Sequence, residues 1–200
     1  MVGDNVNASK NLADKEEGKG KIKTATLALI GLMAAITCIM GPFSIPLPFN
    51  LVPISLTNLV IYFTMYILGM KKGTISYCIY LLIGLVGLPV FSAFTGGPGK
   101  LLGPTGGYLI GFIFLALISG FFIDKWGNHM LLCMTGMVLG TMVCYMFGTI
   151  WLAYQAQMNF GAALWAGVIP FLPGDLIKII IAMLLGSQIR NRLRKAGVIE

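Results

Sequence analysis

Residues 107–123 read GYLIGFIFLALISGFFI and contain no charged side chain. The hydrocarbon core of a bilayer is about 30 Å thick, and a helix needs about 20 mostly apolar residues to cross it. The segment does not alternate apolar and polar residues, as a strand of a membrane barrel would. It therefore predicts a helix that spans a membrane.

The rest of the chain repeats this pattern. Of its 200 residues, 57% are apolar and 10% are charged, whereas a soluble domain carries about 25% charged residues. So few charges cannot cover a chain of this length in water, but lipid favours an apolar exterior. We predict an all-α, multi-pass protein of the cell membrane, with the lipid bilayer as its solvent. About six transmembrane helices are expected, over residues 24–40, 53–70, 74–91, 107–123, 130–154 and 162–186.

The basic residues predict the orientation of these helices. Of the 14 Lys and Arg residues, 12 lie on one side of the predicted spans, and the three opposite loops contain only Lys100. Lys and Arg are concentrated in cytoplasmic loops, so both termini are predicted to be cytoplasmic. The net charge of +7 follows from this distribution and does not indicate a nucleic-acid partner.

The two ends of the chain differ from the membrane region. Residues 1–23 are polar, mixed in charge and without the apolar stretch of a signal peptide. We expect them to form a disordered cytoplasmic tail. The predicted six-helix membrane domain covers residues 24–195, and residues 196–200 form a short C-terminal tail.

The last predicted span contains two charged residues, Asp175 and Lys178. A charge near the centre of a bilayer costs about 2.5–3.5 kcal/mol on insertion scales. The spacing i, i+3 places both residues on one helical face, where they can partly neutralise each other. One interpretation is a purely structural ion pair. The other is a polar cavity that binds a molecule with both hydrogen-bond donors and acceptors.

The residues before Asp175 favour a site near the outer face. Asp175 precedes Arg190 by fifteen residues, which corresponds to about 22 Å of helix. Pro170, Pro173 and Gly174 interrupt the helix at this depth, and Asp175 could cap the helix that follows. Membrane proteins tolerate such breaks beside protein or a cavity.

Two outer loops border this region. The first is rich in proline and apolar residues, and its Pro46, Pro48 and Phe49 could form either a rigid connector or a lid over an outward-facing pocket. The second, residues 92–106, is rich in glycine but does not match a nucleotide-binding loop.

Three polar residues near these loops could converge with Asp175 on one site. Thr57 and Asn58 lie at the head of the second span, and Tyr108 lies at the start of the fourth. Tyr108 could equally anchor the membrane interface.

The first span carries small residues at helical spacing, in the pairs Gly31 with Ala35 and Ala34 with Cys38. Small residues leave a smooth stripe on which a helix of another protein could pack closely.

The chain offers little for catalysis. His129 is the only histidine, so no histidine-based dyad or metal site can be assembled. No ATP-binding motif is present. We predict no catalytic residue, no metal and no cofactor, and an outward-facing binding protein rather than an enzyme.

Four segments resemble the BioY family of biotin transporters: IPLPFNLVPISL (45–56), GLPVF (87–91), GGPGKLLGPTGGYLIGF (96–112) and PFLPGDLIK (170–178). The resemblance extends from about residue 25 to residue 186. It implies the substrate-binding S component of an energy-coupling factor (ECF) transporter, with six helices and a vitamin site near the outer face. It also implies partners, namely a membrane scaffold protein and two ATP-binding subunits.

The resemblance implies roles for individual residues. Asp175 and Lys178 would contact the ureido ring of biotin, which offers two N–H donors and one carbonyl acceptor. Gly31 and Ala35 would correspond to the small-residue motif that meets the scaffold, although the family pattern has alanine at the first position. The family tends to have glutamine where this chain has Thr57.

The implied mechanism is capture of biotin from outside, closure of the proline-rich loop, and tipping of the whole protein to release biotin inside. Two alternatives remain: an S component for another vitamin, and a non-transport membrane scaffold protein in which Asp175 and Lys178 form only a structural pair.

Overall fold

Helices account for nearly all of the regular structure in the computed structural model, which describes residues 24–45, 52–127, 129–197 and 199. Apolar segments form helices in lipid because their backbone N–H and C=O groups must be satisfied within the segment. A two-stranded antiparallel ribbon accompanies the helices. In chain order the elements are α1 (Thr24–Met40), β1 (Ser44–Ile45), β2 (Ile54–Ser55), α2 (Thr57–Leu85), α3 (Pro98–Leu102), α4 (Gly106–Trp126), α5 (Met130–Gln155), α6 (Phe160–Gly167) and α7 (Leu172–Lys195).

Three helices in the described part of the chain are long and apolar enough to cross a membrane. They are α4, α5 and α7, with mean hydropathies of 2.1, 1.9 and 1.5. Helix α1 is also apolar but has 17 residues. The prediction of a mostly helical, multi-pass membrane protein is confirmed.

Helix α2 covers most of the second and third predicted spans, residues 53–70 and 74–91, but begins at Thr57 and ends at Leu85. Its backbone breaks at Gly69, where φ is 73°, a conformation that glycine adopts without steric cost. Gly73 lies against Thr64 and Met65, although residues nine positions apart in a straight helix are separated by about 13.5 Å. The chain therefore reverses at Gly69, a little before the predicted connection at residues 71–73, and the two halves of α2 pack against each other.

The last predicted span, residues 162–186, is wrong as a single helix. The chain forms α6 and α7 instead, with residues 168–171 between them. Proline lacks the N–H that continues a helix, so it is tolerated only in the first turn. Pro170 accordingly lies in the connection, and Pro173 lies in the first turn of α7. Helix α7 also continues past Gly186 to Lys195.

The first outer loop begins and ends in the ribbon, where Ser44 pairs with Ser55 and Ile45 pairs with Ile54. This ribbon is a small departure from the all-α prediction. The predicted lid residues Pro46, Pro48 and Phe49 lie outside the described residues, as does the predicted tail 1–23, so both predictions stay open.

Helices α4 and α5 pack closely, and Thr141, Cys144 and Thr149 of α5 are buried. A Cβ atom on Gly111 of α4 would lie 3.0 Å from the Cα of Cys144, and one on Gly140 of α5 would lie 3.1 Å from the carbonyl oxygen of Leu115. Small residues allow helices in a membrane to approach in this way.

Candidate functional site

A pocket lies between the ribbon, α2, α4, α5 and the start of α7. The volume of this pocket is about 70 Å³. Small-molecule sites usually measure about 300–1,000 Å³, so the pocket is narrow. Its walls are mainly apolar, and its polar lining residues include Ser55, Thr57, Asn58, Ser92, Thr105, Tyr108, Thr141, Tyr145, Asp175 and Lys178.

Lys178 is the centre of a polar network in the wall of the pocket. Its ammonium donates to Asp175 Oδ1 at 2.9 Å, to the carbonyl oxygen of Ser55 at 2.6 Å and to Asn58 Oδ1 at 3.1 Å. An ammonium has three N–H donors, so every donor of Lys178 is matched by an oxygen. Two of these oxygens come from the segment around β2 and the start of α2, which ties that segment to α7.

Asp175 holds the opposite charge of the network. One oxygen accepts from Lys178, and the other accepts a hydrogen bond of 2.6 Å from the Tyr145 hydroxyl. The expectation that Asp175 caps the following helix is wrong, because it lies inside the first turn of α7 and Phe171 is the N-terminal cap residue. A carboxylate in the first turn is still favoured by the helix dipole.

Both predicted residues of the second span line the pocket. Asn58 and Thr57 are buried, and Thr57 contacts the Ser55 hydroxyl at 2.6 Å. The structure thus brings Thr57 and Asn58 together with Asp175 and Lys178, as the sequence suggested. Whether a ligand contacts Thr57 stays a prediction.

Tyr108 also lines the pocket but directs its hydroxyl to the protein. The hydroxyl donates to the carbonyl oxygen of Gly167 at 3.0 Å. The Tyr108 ring packs against Gly148 and Gly167, where any side chain would overlap it. The proposal that Tyr108 binds a ligand through its hydroxyl therefore requires this bond to break, whereas contact through the ring does not.

Lys100, the one basic residue of the opposite loops, is not among the residues that line this pocket. It lies on the short helix α3, and burial lowers the pKa of its ammonium below the ordinary value.

The network is chemically suited to a neutral, polar ligand. The Lys178 and Asp175 side chains are only 10% and 11% exposed, and burying charges is costly unless they are paired and hydrogen-bonded. Their charges cancel, so the pocket presents one strong donor and one strong acceptor without net charge. A ligand that supplies both an N–H and a carbonyl group can replace the internal partners without leaving a charge unpaired.

The family of the chain follows from comparison with known proteins. The model of the BioY family matches residues 13–195. The chain belongs to the BioY family. The protein named biotin transporter BioY of Lactococcus lactis subsp. cremoris is 35% identical over 187 residues, which cover 89% of this chain and 95% of that protein. Biotin transporter BioY of Thermotoga maritima is 35% identical over 161 residues, covering 80% of this chain and 93% of that one.

A solved structure has the same fold. It is described as the S-component for biotin from an ECF-type ABC transporter at 2.1 Å. The TM-score is 0.79 at 34% sequence identity, with 84% of this chain and 92% of the other covered. This BioY protein therefore has the S-component fold.

Away from the pocket, this BioY protein exposes one of the two small-residue pairs on α1. Gly31 and Ala35 are exposed, and no other group lies within 4 Å of a Cβ built on Gly31. Ala34, of the other pair, is buried at 1% exposure. The outward face of α1 therefore carries Gly31 with Ala35, and that face remains the predicted docking surface.

Sequence reasoning missed Tyr145, the residue that holds the second oxygen of Asp175. A signal for it exists on α5, where small and polar residues recur at spacings of three and four and so share one helical face. That face comprises Thr141, Cys144, Tyr145, Gly148 and Thr149. The pattern resembles ordinary helix packing, so it did not single out a functional side chain.

Proposed function

We propose that this protein is the biotin-binding S component of an ECF-type uptake transporter. It captures biotin at the outer face, and it is a transport component rather than an enzyme. The observation that carries the proposal is the buried network of Lys178, Asp175 and Asn58, which lines a pocket. The names of relatives that align with nearly the whole chain support biotin as the substrate.

The chemistry of biotin matches the network. Its ureido ring has two N–H donors and one carbonyl acceptor. We assign an N–H to Asp175 and the carbonyl to the ammonium of Lys178, with the Asn58 amide as a further partner. The ligand then replaces internal hydrogen bonds such as that from Lys178 to the Ser55 carbonyl. The apolar walls, with Thr57 and the Tyr108 ring, enclose the rest of the molecule.

The proposed topology has six membrane spans within a domain of residues 24–195. The spans are α1, the two halves of α2, α4, α5 and α7. Support comes from the basic residues, because Lys71 and Lys72 follow the reversal at Gly69, and Arg190 lies on α7 fifteen residues beyond Asp175. Both termini then lie in the cytoplasm, and the pocket lies towards the outside.

Transport requires partners in this proposal. A membrane scaffold protein packs on Gly31 and Ala35 of α1. Two ATP-binding subunits hydrolyse ATP to drive transport, since this chain contains no ATP-binding motif. Closure of the segment containing Pro46, Pro48 and Phe49 retains biotin, and tipping of the whole protein releases it inside.

The proposal is tested by titrating biotin into the purified protein in detergent. Lys178→Met and Asp175→Asn each remove a buried charge-assisted hydrogen bond, so affinity should fall about 30-fold or more. Matched controls are Lys125→Met and Asp124→Asn, which make the same chemical changes away from the pocket and should leave affinity within about twofold.

The other outcomes discriminate the alternatives. If folded wild-type protein does not bind biotin but binds another vitamin, the chain is an S component of different specificity. If it binds no vitamin, Asp175 and Lys178 form only a structural pair, and a scaffold protein becomes the better description. Unchanged biotin binding in both pocket variants would move the site elsewhere.

A further inference from the structure

A second cavity lies at the opposite end of the helices, beside the reversal of α2. Its volume is about 610 Å³, much larger than the volume of about 70 Å³ of the outer pocket. The start of α1, the reversal of α2, the end of α4 and the end of α7 surround it. The lining residues are Ala25, Thr26, Leu29, Ile67, Leu68, Gly69, Met70, Lys71, Lys72, Asp124, Arg190, Gly197 and Ile199.

The described lining of this cavity has an excess of positive charge. It contains three cations, Lys71, Lys72 and Arg190, and one anion, Asp124, which leaves a formal charge of +2. Lys71 and Lys72 are exposed at the rim. The Asp124 carboxylate is partly occupied, because it accepts from the Met70 N–H at 2.8 Å and contacts Arg190 at 3.4 Å. An anion is the complementary ligand.

Arg190 supplies a buried donor that the described structure leaves without a partner. Arg190 is 8% exposed. Two of its side-chain nitrogens donate hydrogen bonds, one to the Ile123 carbonyl at 3.2 Å and one to Asp124 at 3.4 Å. The third, Nε, is buried and has no hydrogen-bond partner among the described residues. The buried guanidinium therefore contributes positive charge to the wall of the cavity, and the accessible donors at the rim belong to Lys71 and Lys72.

The remaining wall of the cavity is apolar. Leu29 of α1 and Ile67 and Leu68 of α2 line it, and the cavity lies beside helices that face lipid. A free inorganic anion gains nothing from such a wall, whereas a phospholipid can place its phosphate by the cations and an acyl chain along the leucines and isoleucine. Basic pockets between helices at a membrane surface are known to suit anionic headgroups.

We propose that this cavity is a binding site for an anionic phospholipid. Lys71 and Lys72 hold the headgroup phosphate beside the positive charge of Arg190, and the apolar wall between α1 and α2 accommodates an acyl chain. The inference is independent of the substrate of the outer pocket. It assigns the lipid to the junction where α1, α2, α4 and α7 meet.

The test is native mass spectrometry of purified protein equilibrated with mixed micelles of phosphatidylglycerol and phosphatidylcholine. The double variant Lys71→Gln/Lys72→Gln removes two rim charges from the cavity. The matched control, Lys125→Gln/Lys195→Gln, removes two exposed charges that do not line it. Each Lys near a membrane surface strengthens binding of anionic lipid about five- to sixfold, so the loss of two should make the cavity variant retain phosphatidylglycerol about 30-fold more weakly.

We expect wild-type protein and the control to retain one phosphatidylglycerol in preference to phosphatidylcholine. Equal losses in the two double variants would overturn the proposal, because the effect would then be general surface charge. Retention that inorganic phosphate removes at millimolar concentration would also overturn it, in favour of a free-anion site. Thermal unfolding in detergent, with a Tm close to that of wild type, confirms that each variant is folded.

Discussion

The protein contains two pairs of opposite charge that are built differently. Asp175 and Lys178 lie three residues apart on one helix, 2.9 Å from each other, with both side chains nearly buried. Asp124 and Arg190 come from two helices, their closest atoms are 3.4 Å apart, and Asp124 is 43% exposed.

The partners of each pair explain the difference. Asp124 and Arg190 bind backbone groups that have no partner within their own helix. Asp124 accepts a hydrogen bond from the Met70 N–H beside the break in α2, and Arg190 donates to the Ile123 carbonyl at the end of α4. Such groups need partners in any membrane helix. The first pair is completed mainly by Asn58, Tyr145 and the Ser55 carbonyl, and it lines the pocket.

This comparison suggests that the additional hydrogen-bond partners of an ion pair indicate its role. A pair that satisfies helix ends stabilises the fold. A pair surrounded by exchangeable partners in a pocket can exchange them for a ligand. The predictions that follow test each half of this distinction.

The largest effect is expected from Gly69→Ala at the break in α2. The positive φ disfavours alanine, and its Cβ would lie 2.7 Å from Asp124 Oδ1. We expect the free energy of unfolding to fall by about 3 kcal/mol. Denaturant unfolding in detergent measures this loss. Gly99→Ala, where a Cβ meets no atom within 4 Å, is the matched control, and an equal loss there would contradict the role given to Gly69.

An intermediate effect is expected from Tyr145→Phe in the pocket. The variant removes the hydrogen bond of 2.6 Å that orients the Asp175 carboxylate, so biotin affinity should fall about tenfold. Titration calorimetry measures the change. Tyr154→Phe on the same helix is the control, since Tyr154 is 72% exposed. Unchanged affinity in Tyr145→Phe would mean that the carboxylate needs no such support.

The smallest effect on biotin binding is expected from Ala35→Leu on α1. The side chain points away from the pocket and is exposed, so affinity should stay within about twofold. Association with the scaffold protein should weaken about tenfold, because a bulky residue prevents close helix packing. Co-purification of the complex measures this. Ala162→Leu, also exposed, is the control, and equal weakening by both would remove the docking assignment.

Much of the fold could be predicted because lipid imposes a simple rule on sequence. The apolar segments became helices, and the rarity of charge made Asp175 and Lys178 stand out. The reversal at Gly69 was placed a few residues late, because Lys71 and Lys72 are typical of a loop but are helical here. Pro170 and Pro173 indicate a break in the last predicted span, but they do not show that residues 168–171 separate two helices.

The site was only partly predictable because its partners are distant in sequence. Lys178 donates a hydrogen bond to the carbonyl oxygen of Ser55. This is a backbone group, so the pattern of side chains in the sequence does not predict the contact. Tyr145 reaches Asp175 from thirty positions away. The pairing of Asp124 with Arg190 spans 66 positions and needs the tertiary structure. Local spacing revealed the i, i+3 pair and could not reveal these contacts.

The most direct test of the central distinction is thermal unfolding of Asp175→Asn and Asp124→Asn with and without biotin. A ligand at 100 times its Kd stabilises the folded state by about 2.7 kcal/mol, which raises Tm by several degrees. We predict that Asp124→Asn has a lower Tm but keeps the rise with biotin, whereas Asp175→Asn, with an affinity lower by about 30-fold or more, keeps at most about a third of the rise. A full biotin-dependent rise in Asp175→Asn, or its loss in Asp124→Asn, would contradict the account.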